Sequence, residues 1–211
     1  MRAKQQRHDA RRIGIFGASG SGKTTKAKEL IKSVKRLISF DALDNLSGRA
    51  FTTLPELQRF IVANYAKGFK VRYVPALDSA VSDLSELSGW LLRLQEPYKS
   101  GKISSQVTLF VDELDVSFPL NISRSQSDNK FYFICCRGRH YGINIVGISQ
   151  RMSLVDLPFR ANLSDLFVFR LADFNDLSTA ASMLGKPYKS TLSSLPNYKF
   201  IYKSPDGKIF T

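Results

Sequence analysis

From Ile13 onward, short runs of apolar residues alternate with longer stretches in which apolar positions recur at helical spacing. That alternation is the signature of a parallel sheet wound with helices. Strands are expected at Arg12–Phe16, Leu37–Asp41, Phe69–Val74, Val107–Asp112, Ile143–Ser149 and Leu166–Leu171, with helices between them. The first helix should run from Lys23 to about Lys35. The next, starting near Pro55, places Leu57, Phe60, Ile61 and Tyr65 on one face. Leu84, Leu87, Leu91 and Leu94 form a further stripe, whose expected role is core packing. Near the end of the chain Pro205-Asp206-Gly207 separates two β-prone runs, so Asn197–Thr211 reads as a terminal hairpin. The expected architecture is α/β, with a central, mostly parallel sheet flanked by helices and closed by a short C-terminal β-hairpin. Pro97-Tyr98-Lys99-Ser100 recurs as Pro187-Tyr188-Lys189-Ser190, but four residues in unlike contexts do not make a repeat.

The chain has 211 residues, 43% of them apolar, enough for one α/β core. Residues 13–211 are read as one domain, preceded by a basic arm, Met1–Arg12, that carries five arginines and lysines against one acid, Asp9. No apolar run approaches the ~20 residues that span a bilayer, and no signal-type apolar stretch follows the basic start. A soluble protein made in the cytoplasm is expected. Cys135 and Cys136 are adjacent, a spacing that suits neither a zinc site nor an easy disulfide. Charge changes the picture more: 31 Lys plus Arg against 18 Asp plus Glu leaves +13, an excess that points to a polyanionic partner.

Three segments carry candidate chemistry. Gly17-Ala18-Ser19-Gly20-Ser21-Gly22-Lys23-Thr24 matches the phosphate-loop pattern G-x-x-x-x-G-K-[ST] and sits between an expected strand and an expected helix. Glycines let the backbone curl so that N–H groups face phosphate oxygens, and the helix adds its positive end. Gly17 through Thr25 are therefore candidate nucleotide contacts, with Lys23 reaching the β and γ phosphates and Thr24 ligating Mg2+. Thr108–Glu113 is an apolar strand ending in two acids: Asp112 would hold Mg2+ through water, and Glu113 would deprotonate the attacking water. Ile143–Gln150 is a buried-type strand ending in an amide. Gln150 either senses the γ phosphate or simply caps the strand. Arg137, Arg139 and Arg151 flank this strand, and an arginine beside a sheet edge can act on a neighbouring subunit's nucleotide. His140 lacks the partners for metal binding or nucleophilic catalysis.

These three blocks, Gly17–Thr24, Thr108–Glu113 and Arg137–Arg151, resemble in order those of the FtsK/HerA superfamily of DNA-pumping P-loop ATPases. The run Gly-Arg-His-Tyr-Gly-Ile-Asn-Ile-Val-Gly-Ile-Ser-Gln-Arg is similar to that family's strand into a Ser/Thr-Gln-Arg signature. The resemblance implies a P-loop NTPase fold in which the Gln150 strand lies between the strands bearing the phosphate loop and Asp112. It implies ATP and Mg2+ as ligands, Glu113 as catalytic base, Gln150 as sensor, and homo-oligomeric rings, usually hexamers, around double-stranded DNA. Arg139 matches the basic position of the third block and is the candidate finger acting in trans.

Size narrows the likeness. Chromosome-partitioning and conjugation members carry membrane segments or large accessory domains; a motor of this length is similar to the genome-packaging ATPases of tailless icosahedral, membrane-containing viruses and phages. That likeness implies work in the host cytoplasm during assembly, a place at a packaging vertex of the virion, and capsid and membrane proteins as partners. Filamentous-phage assembly ATPases related to the zonula occludens toxin share similar blocks and stay open as an alternative. So do a small nucleotide kinase, which would need acceptor-binding and lid arginines, and a DNA-binding scaffold with an inactive ATP site.

Overall fold

The apolar runs become strands of a single sheet in the computed structural model, which describes residues 10–76, 78–126 and 128–211. The strands are β1 (Arg12–Phe16), β2 (Arg36–Asp41), β3 (Ala50–Phe51), β4 (Phe69–Tyr73), β5 (Val107–Asp112), β6 (Ile143–Ser149), β7 (Asp165–Phe169), β8 (Phe200–Lys203) and β9 (Ile209–Phe210). Their order across the sheet is β3-β4-β2-β5-β6-β1-β7-β8-β9. From β3 to β7 all pairs are parallel, and β8 and β9 add the antiparallel hairpin. The α-helices are α1 (Lys23–Ile31), α2 (Leu54–Asn64), α3 (Ala80–Leu94), α4 (Glu96–Lys99), α5 (Leu114–Ser117), α6 (Ile122–Ser125), α7 (Lys130–Arg137), α8 (Leu157–Ala161), α9 (Phe174–Leu184) and α10 (Tyr188–Ser194).

Helices on both faces explain the unbroken apolar runs: every residue of β5 and β7 is buried. Side chains alternate between faces. Leu109, Val111 and Ile145 join the larger core with Leu84, Leu87 and Leu91 of α3 and Phe131 and Ile134 of α7. Phe110, Val146, Ile148, Ile13 and Ile15 face the other way, under Ala27, Leu30 and Ile31 of α1. The leucine stripe of α3 is thus core, worth roughly 1.5–3 kcal/mol per fully buried side chain. Gly147 has a packing reason, since a β-carbon there would lie 2.7 Å from Cζ of Phe159.

Strand ends match the sequence expectation to within two residues, and β6 lies between β5 and β1 as the resemblance implied. Three features differ. The first helix stops at Ile31, because the chain must turn through residues 32–35 to enter β2. The edge strand β3 is too short to leave a periodic signal. Met1–Asp9 of the expected arm lie outside the described residues, but Ala10 is buried, Arg11 pairs with Asp165 at the start of β7, and Arg12 opens β1. Asp165, buried beneath this pair, also accepts a 2.7 Å bond from the Tyr202 hydroxyl, so these last arm residues are fixed to the sheet.

No helix among the described residues is long and apolar enough to cross a membrane.

Candidate nucleotide site

All strands from β3 to β7 run the same way, so the segments that follow them share one edge of the sheet. The Gly17–Gly22 loop follows β1 there and leads into α1. Gly20 and Gly22 have φ of +69° and +113°, left-handed backbone that other residues resist. Gly22 is also crowded: a β-carbon would lie 2.8 Å from Cδ1 of Tyr198 and 3.1 Å from Cε1 of Phe169. The loop is tied down at both ends, with the Ala18 N–H donating to the Arg170 carbonyl (2.8 Å) and the Tyr198 N–H donating to the Ser21 carbonyl (2.8 Å). No side chain caps α1 and its first turn holds no acid, which leaves its N–H groups for an anion.

Lys23 is 7% exposed, and its ammonium donates to the Ala18 carbonyl across the loop (3.0 Å). Burial pushes its pKa down, opposed by the charges of Glu113, Asp112 and Asp115. The lysine and these acids therefore share one electrostatic neighbourhood. Ser21 is 1% exposed, and its hydroxyl has no partner among the described residues. Thr24 and Thr25 are exposed on the first turn.

Asp112 ends β5 and is 5% exposed. Burial above all, then the neighbouring charges of Glu113 and Asp41, raises its carboxyl from 3.8 to about 6. Glu113 follows with φ +46°, a backbone strain that turns the chain sharply off the strand. Its carboxylate accepts a 2.8 Å bond from the Gln150 amide at the end of β6. One residue earlier, the Ser149 hydroxyl donates to Asp115 (2.6 Å). The sequence-predicted base and sensor are thus in direct contact.

The arginines separate into two groups. Arg151 is anchored, its guanidinium 2.8 Å from buried Asp176 and 3.2 Å from Asp173. Arg160 is half-buried and donates to the Val155 carbonyl (2.8 Å). Arg137 and Arg139 are exposed, in the segment that enters β6, and Arg139 donates to His140 at 3.4 Å. They stand at the opposite edge of the sheet from the phosphate loop, a strand length of roughly 20 Å at ~3.3 Å per residue. Arg139 is therefore not brought to its own chain's site.

Sequence reasoning missed four participants. Asp41 lies beside Asp112 in register, is fully buried, pairs with Arg72, and accepts N–H bonds from Asn45 and Leu46. Its signal was a second apolar strand ending in an acid. Asp115 and the Arg170 carbonyl had no local signal, and neither did Tyr198, which reaches the loop from the far side of α10. No group of three or more His, Cys, Asp or Glu among the described residues could hold a metal alone. The Thr24 hydroxyl and Asp112 carboxylate are hard oxygen donors of the kind Mg2+ takes one or two at a time alongside phosphate and water, and both belong to this edge.

A phosphate loop, an acid-ended strand and an amide-ended strand between them define the fold as that of a P-loop NTPase. Among solved structures, the genome packaging NTPase B204 from Sulfolobus turreted icosahedral virus 2 in complex with ATP-gammaS is similar over 95% of both chains, at 16% identity and TM-score 0.65. B204, the DNA-packaging ATPase from Sulfolobus Turreted Icosahedral Virus, matches 98% of this chain and 97% of its own, at 18% identity and TM-score 0.60. EssC (ATPases 2 and 3) from Geobacillus thermodenitrificans matches 94% of this chain but 38% of its own, at 17% identity and TM-score 0.61. At such identities the likeness is one of fold. No protein-family model matches this chain, and no curated protein matches it by sequence.

Proposed function

We propose that this chain is an ATPase that drives double-stranded DNA, packaging a viral genome during assembly. The observation that carries the reading is the meeting of Lys23, Asp112, Glu113 and Gln150 at one sheet edge, in a fold that spans nearly all of a DNA-packaging ATPase. In this reading Lys23 releases the Ala18 carbonyl and takes the β and γ phosphates. Glu113 removes a proton from water as its oxygen attacks the γ phosphorus, and ADP leaves with the bridging oxygen. Gln150 holds Glu113 by its amide and is placed to respond when the γ phosphate departs. Thr24 and Asp112 would hold Mg2+, which supplies positive charge to the phosphates.

Charge along the strand axis supports DNA as cargo. The nucleotide edge gathers Asp41, Asp112, Glu113, Asp115, Asp173 and Asp176. Segments entering the opposite edge carry exposed Lys35, Lys67, Lys99, Lys102, Arg137 and Arg139. Three of the acids at the nucleotide edge are paired with Arg72 and Arg151; the exposed cations of the far edge offer duplex phosphates a place that does not compete with the nucleotide. Arg139 belongs to this edge, so it acts either on DNA or on a neighbour's nucleotide in a ring. Mixing Arg139→Ala with Lys23→Ala subunits decides: recovered turnover supports action in trans, and none in verified mixed rings assigns Arg139 to DNA.

The test of the function is phosphate release with and without duplex DNA. Wild type should turn over faster with DNA of any sequence. Lys23→Ala should lose both nucleotide affinity and turnover, and Glu113→Gln only turnover. Transfer of phosphate to nucleosides in place of water, or Glu113→Gln hydrolysing at the wild-type rate, would overturn it.

A further inference from the structure

Tyr198 is the least explained side chain beside the phosphate loop. It lies in the segment between α10 and β8 that returns over the loop, and it takes φ +65°. A left-handed backbone is costly for an aromatic residue and persists only where its surroundings impose it. Here the Tyr198 N–H is bonded to the Ser21 carbonyl at 2.8 Å. Its Cα would be 3.2 Å and its Cδ1 2.8 Å from a β-carbon at Gly22. The loop and the tyrosine are thus fitted to each other through backbone. The residue nonetheless remains 65% exposed. Core packing accounts for neither the strain nor the exposure.

The geometry points to Tyr198 as the stacking platform for the base of a purine nucleotide whose phosphates occupy the Gly17–Thr24 loop. This rests on the nucleotide reading above and specifies the part of the ligand that loop and carboxylates leave unassigned. The Cδ1 side of the ring borders Gly22, the last residue before α1, and because β7 and β8 lie on one side of β1 and β5 on the other, this is the side of the loop away from Asp112 and Glu113, where the γ phosphate must react. A triphosphate laid from Glu113 across the loop therefore ends its sugar and base toward Tyr198. A flat ring fixed by backbone gives a base apolar contact at little further cost in side-chain entropy. Stacking of this kind favours large purine rings over pyrimidines and is blind to phosphate number.

Calorimetric titration of the full chain with ATP and, separately, with inorganic triphosphate tests the assignment. Tyr198→Asn is the informative variant, because asparagine tolerates left-handed backbone and the loop can keep its shape without the ring. It should bind ATP about 5- to 150-fold more weakly, the fold-change of one lost stacking contact, and bind inorganic triphosphate within about two-fold of wild type. Tyr198→Phe should bind both like wild type, and wild type should prefer ATP to CTP, a preference Tyr198→Asn should lose. ATP affinity unchanged in Tyr198→Asn would overturn the assignment. So would an equal loss of ATP and triphosphate affinity, which would make Tyr198 a brace of the loop. Wild type binding neither ligand would overturn the nucleotide reading itself and this inference with it.

Discussion

Asp112→Asn should stabilise the nucleotide-free protein near neutral pH while destroying its function. Ionised Asp112 is held in a buried site beside Glu113 and Asp41, and its carboxyl is raised from 3.8 to about 6. A raised acid gives stability below its unfolded value, and that stability is lost as pH rises from 3.8 through about 6. About two units at 1.36 kcal/mol each set an upper bound of roughly 3 kcal/mol. The site opens to solvent at the sheet edge, so about 1–2 kcal/mol is the realistic cost. Asparagine has the same shape and keeps an acceptor for the Glu113 N–H, 3.1 Å away, but never ionises. Thermal melts across pH 4 to 8 check this: the variant should exceed wild type by roughly 2–8 °C at pH 7.5, at ~2–4 °C per kcal/mol for a chain of this size. The gap should close toward pH 4. A variant no more stable than wild type at pH 7.5, or a gap indifferent to pH, would refute the reasoning. The same strain would favour a cation there, since neutralising charge relieves a cost already present.

Two further outcomes follow from the geometry. Gln150→Ala removes a charge-assisted bond of about 1.5–3 kcal/mol to the Glu113 carboxylate. Steady-state phosphate release should show kcat down about 10- to 100-fold with KM within about three-fold, and an equal loss in affinity would mean that Gln150 only braces the pocket. Neutralising Lys35, Lys67 and Lys102 together, all exposed at the edge away from the nucleotide, should reduce the log–log salt slope of duplex binding by about 2 to 3, at ~0.9 per phosphate contact. Melting temperature and ATP affinity should stay put; an unchanged slope would move DNA to another face.

Much of this was legible from local pattern. The β5 and β6 boundaries, Val107–Asp112 and Ile143–Ser149, follow from apolar runs that stop at polar residues, and burial on both faces leaves no other pattern. Lys23, Asp112 and Glu113 stand out because their chemistry is written in adjacent residues. The Gln150–Glu113 contact joins residues 37 apart, which strand order across the sheet brings together. Asp41 ends an apolar strand as Asp112 does, but only strand order sets the two side by side; Tyr198 returns to the loop from the hairpin side, and no neighbour in sequence announces it. Arg139 shows the converse limit. A basic residue just before an apolar strand was legible, but its place at the far sheet edge depends on which end of β6 it adjoins.

The central claim is that hydrolysis at this edge moves duplex DNA, and displacement of a third strand bound to a linear duplex measures that motion directly. Wild type with ATP should strip the third strand at a rate that tracks phosphate release, and Glu113→Gln should bind ATP and duplex but leave the triplex intact. Rapid hydrolysis by wild type with the third strand still in place would contradict the account.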